Sequence, residues 1–137
     1  IPSGYARIDI TADCYRDYSI KYAAREKRGN SSKIIVGSVK SKVPRNLSNF
    51  FANGENKSQL IKLTFSYIKE NRLACLKLLN CEEVVLLGDC VYERITPDKS
   101  ENFERLKSDH EEADTKLTFH TMDVLAMSHS NVCKVSF

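Results

Sequence analysis

Apolar runs long enough to span a membrane are missing from this chain of 137 residues, and so is a charged-then-apolar leader segment that would direct secretion. Its five cysteines include no CxxC pair, and an odd number of widely spaced cysteines is typical of reduced thiols rather than of a disulfide framework. There is no internal repeat and no low-complexity tract. These absences predict one domain over residues 1–137 in an intracellular protein, nuclear or cytoplasmic, with no membrane partner. The first residue is Ile1 rather than Met, as expected either of a fragment of a longer protein or of a trimmed chain.

The elements of two common chemistries are also missing. There is no G-x-S-x-G element and no paired His and Asp that would support a serine nucleophile. The histidines His110, His120 and His129, taken with Cys133, match the spacing of no standard zinc site.

The hydrophobic pattern alternates strands with helices. In the first half, the pattern predicts a strand over residues 6–13, a short helical segment over 18–28, a strand or extended loop over 33–43 and a helix from Asn56 or Ser58 to about Glu70. A possible short helix over 73–79 comes next, followed by a buried strand over 83–87 and a short strand or loop over 90–95. Polar connecting residues over 98–109 lead to a helix over 111–127 and a last strand over 132–137. This order predicts an α/β fold with a mostly parallel sheet. Leu60, Ile61, Thr64, Phe65 and Ile68 are expected to form the core face of the long helix.

The stretch from His110 to Lys116 carries three carboxylates in four positions at the start of a predicted helix. Free backbone N–H groups at a helix start favour negative charge, but acids this dense repel each other unless a cation lies among them. Oxygen ligands such as Glu112 and Asp114 suit Mg²⁺ or Mn²⁺. The alternative is a solvated helix cap without a metal.

Asp13 follows the first predicted strand, and sites in parallel α/β sheets gather at the carboxyl ends of strands. Asp13 and the Glu112–Asp114 pair can therefore meet at one edge of the sheet. Three carboxylates there would bind a divalent metal, which activates water and shields a phosphodiester under attack. Otherwise Asp13 caps a turn.

Positive charge is concentrated in the first part of the chain. Residues 1–54 carry ten Lys/Arg and four Asp/Glu, whereas residues 55–137 carry eleven Lys/Arg and fourteen Asp/Glu. Lys21, Arg25 and Arg28 recur at helical spacing and could hold the phosphates of DNA or RNA. A solvated basic face is the alternative.

A family resemblance is carried by the following residues: Asp13 and Tyr15, Ser19-Ile20-Lys21, Arg25-Glu26-Lys27-Arg28-Gly29, Asn56-Lys57-Ser58-Gln59-Leu60, and His110-Glu111-Glu112-Ala113-Asp114-Thr115-Lys116. On these motifs the chain resembles the PIN/flap-endonuclease-like superfamily, and more closely a group of uncharacterised, transposon-associated animal proteins with a PIN-like domain. The resemblance implies a PIN-like three-layer fold and a nuclease that uses Mg²⁺ or Mn²⁺ on DNA or RNA. It implies that Asp13, Glu112 and Asp114 are both metal ligands and catalytic residues.

The chain also departs from that family. Relatives continue after a strand like Val132–Phe137 into a further acidic motif of the DTDV type, and the upstream strand with the first acid of the superfamily is absent here. Cys14 stands where the family often has Gly. The expectation is therefore a PIN-like domain that is incomplete at both ends. Its function is either that of an incomplete nuclease or that of a non-catalytic remnant that binds nucleic acid or protein.

Overall fold

The structure is a computed structural model that describes residues 4–14, 32–88, 91–107, 113–127 and, through the backbone alone, 132–136. The elements are β1 (Tyr5–Thr11), α1 (Leu47–Ala52), α2 (Gly54–Glu70), α3 (Arg72–Leu79), β2 (Cys81–Gly88), β3 (Val91–Ile95), β4 (Ser100–Asn102), a 3₁₀ turn (Glu104–Leu106), α4 (Ala113–Ala126) and β5 (Val132–Ser136). The predicted helical segment over residues 18–28 lies outside the described residues. Within the described ranges, no helix has both the length and the apolar character needed to cross a bilayer.

The described strands form one sheet in the order β4-β3-β2-β1-β5. β1 runs parallel to both β2 and β5, with Ile8 opposite Val84 on one side and Cys133 on the other. The pairs β2–β3 and β3–β4 are antiparallel. The α/β class is thus confirmed, but the prediction of a mostly parallel sheet is wrong because the sheet is mixed. The reason is loop length: residues 89–90 and 96–99 are too short for the crossover that parallel neighbours need.

The apolar core lies on one face of the sheet. Successive side chains of a strand point to opposite faces, so Ile8, Ile10 and Ala12 of β1 share a face. They pack with Phe65 and Ile68 of α2, and the same core cluster includes Leu76 of α3, Val84, Leu86 and Ile95. The predicted core face of the long helix is therefore confirmed at its centre. One predicted member of that face, Thr64, is exposed instead, and its hydroxyl donates a hydrogen bond to the Leu60 carbonyl.

The other face of β1 is polar, because Arg7, Asp9 and Thr11 alternate with the apolar residues and are all buried. Helix α4 covers this face and buries Lys116 and His120 against it. Helices thus pack on both faces of β1.

The sequence predicts an inner face of α4 made of Ala113, Leu117, Val124 and either His120 or Thr121, and the structure differs from it by a single residue. The buried positions are Ala113, Lys116, His120 and Val124. The predicted inner residue Leu117 is only half-buried, and Lys116 occupies the inward position instead.

The prediction that Asn56 or Ser58 caps the long helix is wrong, because Asn53 is the cap and accepts from the backbone N–H groups of Glu55 and Asn56. Asn56 is fully buried and its Oδ1 accepts from the Ile34 N–H at 2.8 Å. Gln59 accepts from the Val36 N–H at 3.0 Å and donates to the Ile34 carbonyl at 3.2 Å. Side chains of α2 therefore hold residues 32–36 extended, where a strand or loop was predicted.

Candidate metal site at the end of strand β1

Asp13 lies just beyond the end of β1, and its Oδ1 accepts a hydrogen bond from the backbone N–H of Ala113 at 2.8 Å. Ala113 is the first residue of α4, where backbone N–H groups have no partner within the helix. A carboxylate from the central part of the sheet thus satisfies a helix start that is 100 residues away in sequence. The contact places Asp13 beside the first turn of α4, which contains Asp114.

Part of the predicted acidic cluster can be located. Asp114 is exposed, and Asp13 is half-buried with one of its two oxygens used by Ala113. Glu112 lies outside the described residues, as do Lys21, Arg25 and Arg28, so those four predictions remain untested. In the parts of the chain that are described, no three His, Cys, Asp or Glu side chains group closely enough to hold a metal ion.

Lys116 is a buried charged residue beside Asp13 that sequence reasoning missed. Its side chain is fully buried, and Nζ donates to the Ala12 carbonyl and contacts Cys14 Sγ, both at 3.0 Å. Lysine is among the residues least often buried, so a helix pattern read from polarity places it outside. The available signal was spacing, because residues 113, 116, 120 and 124 fall on one helical face.

A buried charge network joins α4 to β1 further from the strand end. Arg7 binds the Asp9 carboxylate through Nε at 2.5 Å and Nη2 at 2.8 Å, and it reaches Asp123 on α4 through Nη1 at 2.8 Å. His120 Nδ1 lies 2.5 Å from Asp9 Oδ2. The network is closed to solvent, since Arg7, Asp9 and His120 are each at most 1 % exposed.

The electrostatics of the network favour the charged form of Asp9. Burial opposes ionisation, but hydrogen bonds from His120 and Arg7 outweigh it and hold the pKa of the Asp9 carboxyl below its usual value. Burial likewise opposes the charge on Arg7, yet the bonds to Asp9 and Asp123 raise its pKa. An ionised carboxylate only accepts, so His120 Nδ1 carries the hydrogen in its bond to Asp9.

The rim of this network is built by the 3₁₀ turn and the residue before it. Arg105 binds Asp123 at 2.5 Å, and the Phe103 ring lies within 6 Å of both Arg7 and Arg105. Each of these charges near the aromatic ring adds a cation–π contribution. The contacts between Arg7 and Asp123 and between His120 and Asp9 attach α4 to β1.

Comparison with known proteins adds no assignment, since no family model, no curated protein and no solved structure matches this chain.

Proposed function

We propose that this chain is a divalent-metal-dependent phosphodiesterase domain that acts on DNA or RNA, with a PIN-like three-layer fold. The observation that carries the proposal is the hydrogen bond between the Asp13 carboxylate and the Ala113 N–H. It joins the acid at the end of β1 to the first residue of α4, and Asp114 is the next residue of that helix. Helices on both faces of the sheet support the three-layer arrangement.

The donor chemistry suits a hard cation. Asp13, Glu112 and Asp114 would hold Mg²⁺ or Mn²⁺ through carboxylate oxygens, which these ions prefer over nitrogen or sulfur. When bound, the metal supplies a water of lowered pKa as nucleophile and neutralises charge on the phosphate. Asp13 is oriented by its bond to Ala113, and Asp114 faces solvent, where a polymer can approach. Lys21, Arg25 and Arg28 would hold the flanking phosphates.

The test is cleavage of labelled single-stranded and flap substrates, made of DNA and of RNA, with Mg²⁺, Mn²⁺ or a chelator. We expect cleavage that needs the metal and that is lost in Asp13→Asn and in the double variant Glu112→Ala, Asp114→Ala. The matched control is Glu70→Ala with Asp98→Ala, because both acids are exposed and far from Asp13 in sequence. Cleavage that survives the Glu112 and Asp114 substitutions would remove the assigned roles.

A second candidate function is non-catalytic binding of a polyanion. No acid occurs between Glu26 and Glu55, and Lys40, Lys42 and Arg45 in this stretch are exposed. Binding without cleavage, which weakens steeply as salt rises, favours this alternative because released counterions drive such binding. Binding that does not respond to salt points to a protein partner instead.

A further inference from the structure

The side chain of Lys116 contacts the chain on both sides of Asp13. Its Nζ donates to the carbonyl of Ala12 and contacts Sγ of Cys14, each at 3.0 Å. Ala113, one turn earlier on the same face of α4, binds the Asp13 carboxylate itself. The first turn of α4 therefore holds the backbone around Asp13 as well as its side chain.

Strand β2 holds Ala12 from the other side. The Ala12 N–H donates to the Leu87 carbonyl at 2.7 Å. Gly88 approaches so closely that an added Cβ would lie 2.8 Å from Ala12 Cβ. Ala12 thus has its N–H, its carbonyl and its side chain all constrained.

The burial of Lys116 calls for an explanation beyond packing. Removing an ammonium group from water is costly, and a methionine of similar length would fill the space at lower cost. Within the described residues Lys116 forms no ion pair that would offset this cost. Its amine does supply hydrogen-bond donors that methionine lacks, and those donors converge on the strand end that carries Asp13.

We infer that Lys116 is a positioning residue, which sets the Asp13 carboxylate for a divalent cation through Ala12 and Cys14. The inference rests on the proposed function. A positive charge near a cation site lowers its affinity for the cation, so removing Lys116 would tighten binding if charge were its only effect. Loss of a positioning contact weakens binding instead, typically by about 10- to 100-fold in metal affinity. Removing the charge and removing the positioning contact therefore change the metal affinity in opposite directions.

The experiment measures Mn²⁺ binding to the full chain by electron paramagnetic resonance of free Mn²⁺, with no substrate present. The variants are Lys116→Met, Cys14→Ala and Cys14→Ser, and the control is Lys107→Met, an exposed lysine. We expect Lys116→Met to weaken Mn²⁺ binding by about 10-fold or more. Cys14→Ala should weaken Mn²⁺ binding less than Lys116→Met does. Cys14→Ser should bind Mn²⁺ as the parent chain does, because a hydroxyl also accepts a hydrogen bond from the amine. The control should bind as the parent chain does.

The results distinguish failure of the proposed function from failure of the role assigned to Lys116. If the parent chain binds no Mn²⁺, the proposed function fails and the inference fails with it. If the parent chain binds but Lys116→Met binds equally well or more tightly, the inference alone is overturned. If Lys116→Met does not fold, the Cys14 pair decides: equal affinity for Ala and Ser overturns the role of Lys116, and rescue by Ser supports it.

Discussion

At the residue scale, Asp9 occupies the centre of the buried charges. It receives two hydrogen bonds from Arg7 and one from His120, and no solvent reaches any of the three side chains. A buried ion pair adds little compared with a well-packed apolar pair, but removing one partner leaves a buried charge uncompensated. The network therefore makes the docking of α4 on β1 specific and sensitive to single substitutions.

Asp9→Asn should destabilise the protein by about 3–5 kcal/mol, because it removes the negative charge that compensates Arg7 and keeps the size of the side chain. The measurement is the free energy of unfolding from urea denaturation followed by circular dichroism. Asp98→Asn is the matched control, since Asp98 is exposed. A loss below about 1 kcal/mol for Asp9→Asn would show that solvent or a rearranged side chain replaces the carboxylate.

Cys81 gives a prediction about reactivity. Burial, and then the negative charge of Glu83, raise the pKa of its thiol to about 11. The thiolate is the reactive form, so the alkylation rate of Cys81 in the folded protein should rise about tenfold per pH unit from pH 8 to pH 10. In the chain unfolded by urea the thiol has its ordinary pKa, so the alkylation rate should level off near pH 9. Mass spectrometry of iodoacetamide labelling measures both rates, and a plateau near pH 9 in the folded protein would contradict the shifted pKa.

Sequence reasoning located Asp13 at a strand end because β-forming residues precede it and polar residues follow it. It did not find the inward positions of Lys116 and Asp9, although it placed His120 or Thr121 on the inner face of the last helix. A pattern read from polarity assigns charged residues to the surface, and only the partners supplied by other elements make their burial possible. Those partners are up to 111 residues away in sequence, so no local signal encodes them.

At the element scale, α2 has two roles. Phe65 and Ile68 bury its apolar face in the core, while Asn56 and Gln59 near its start bind the backbone of residues 32–36. Amide side chains carry both a donor and an acceptor, so they can replace the neighbouring strand that an extended segment otherwise needs. The motif that contains Asn56 and Gln59 thus serves to attach this segment.

Gln59→Leu should expose the Val36 amide to exchange, since it removes the acceptor at 3.0 Å. The Ile34 amide, bound to Asn56, should keep its protection. Hydrogen exchange followed by residue-resolved NMR measures both amides. Gln59→Glu is the matched variant because it retains the acceptor, so Val36 should stay protected. Equal exchange of Val36 in the parent chain and in Gln59→Leu would mean that this bond does not persist in solution.

Periodic elements were the most predictable part of the fold. The strand ending near Asp13, the long apolar helix, the buried run after Leu79 and the helix over 111–127 all correspond to observed elements, with ends shifted by a few residues. β4 and the 3₁₀ turn were missed within a stretch taken as polar connection. β4 has only three residues, Ser100–Asn102, and it exists because β3 offers a free edge to pair with.

At the scale of the whole molecule, the two faces of the sheet are stabilised by different forces. The face under α2 and α3 buries aliphatic and aromatic side chains, and its contribution changes little with pH. The face under α4 buries charges whose protonation differs between the folded and unfolded chain. The pH dependence of stability should therefore report on the second face in particular.

Acid should weaken the folded state through Asp9. Its pKa is lower in the folded protein than in the unfolded chain, so the unfolded chain takes up the proton first as pH falls. Stability is therefore fully present above about pH 4 and is lost as pH falls through the folded-state pKa, at up to about 1.4 kcal/mol per pH unit for one carboxyl. Urea unfolding of the parent chain between pH 6 and pH 2.5 measures this slope.

Asp9→Asn removes the titrating carboxyl group. Below about pH 4 the free energy of unfolding of the variant should therefore fall less steeply than that of the parent chain, because the variant takes up about one proton fewer on unfolding. The difference in free energy between the two proteins should accordingly shrink as pH falls. Glu101, whose pKa is also lowered by a hydrogen bond from Lys99, is present in both proteins, so its effect cancels in this comparison. Parallel curves for the two proteins would mean that Asp9 gains no protection from protonation on folding. The attachment of α4 to the sheet would then not depend on the charge of Asp9.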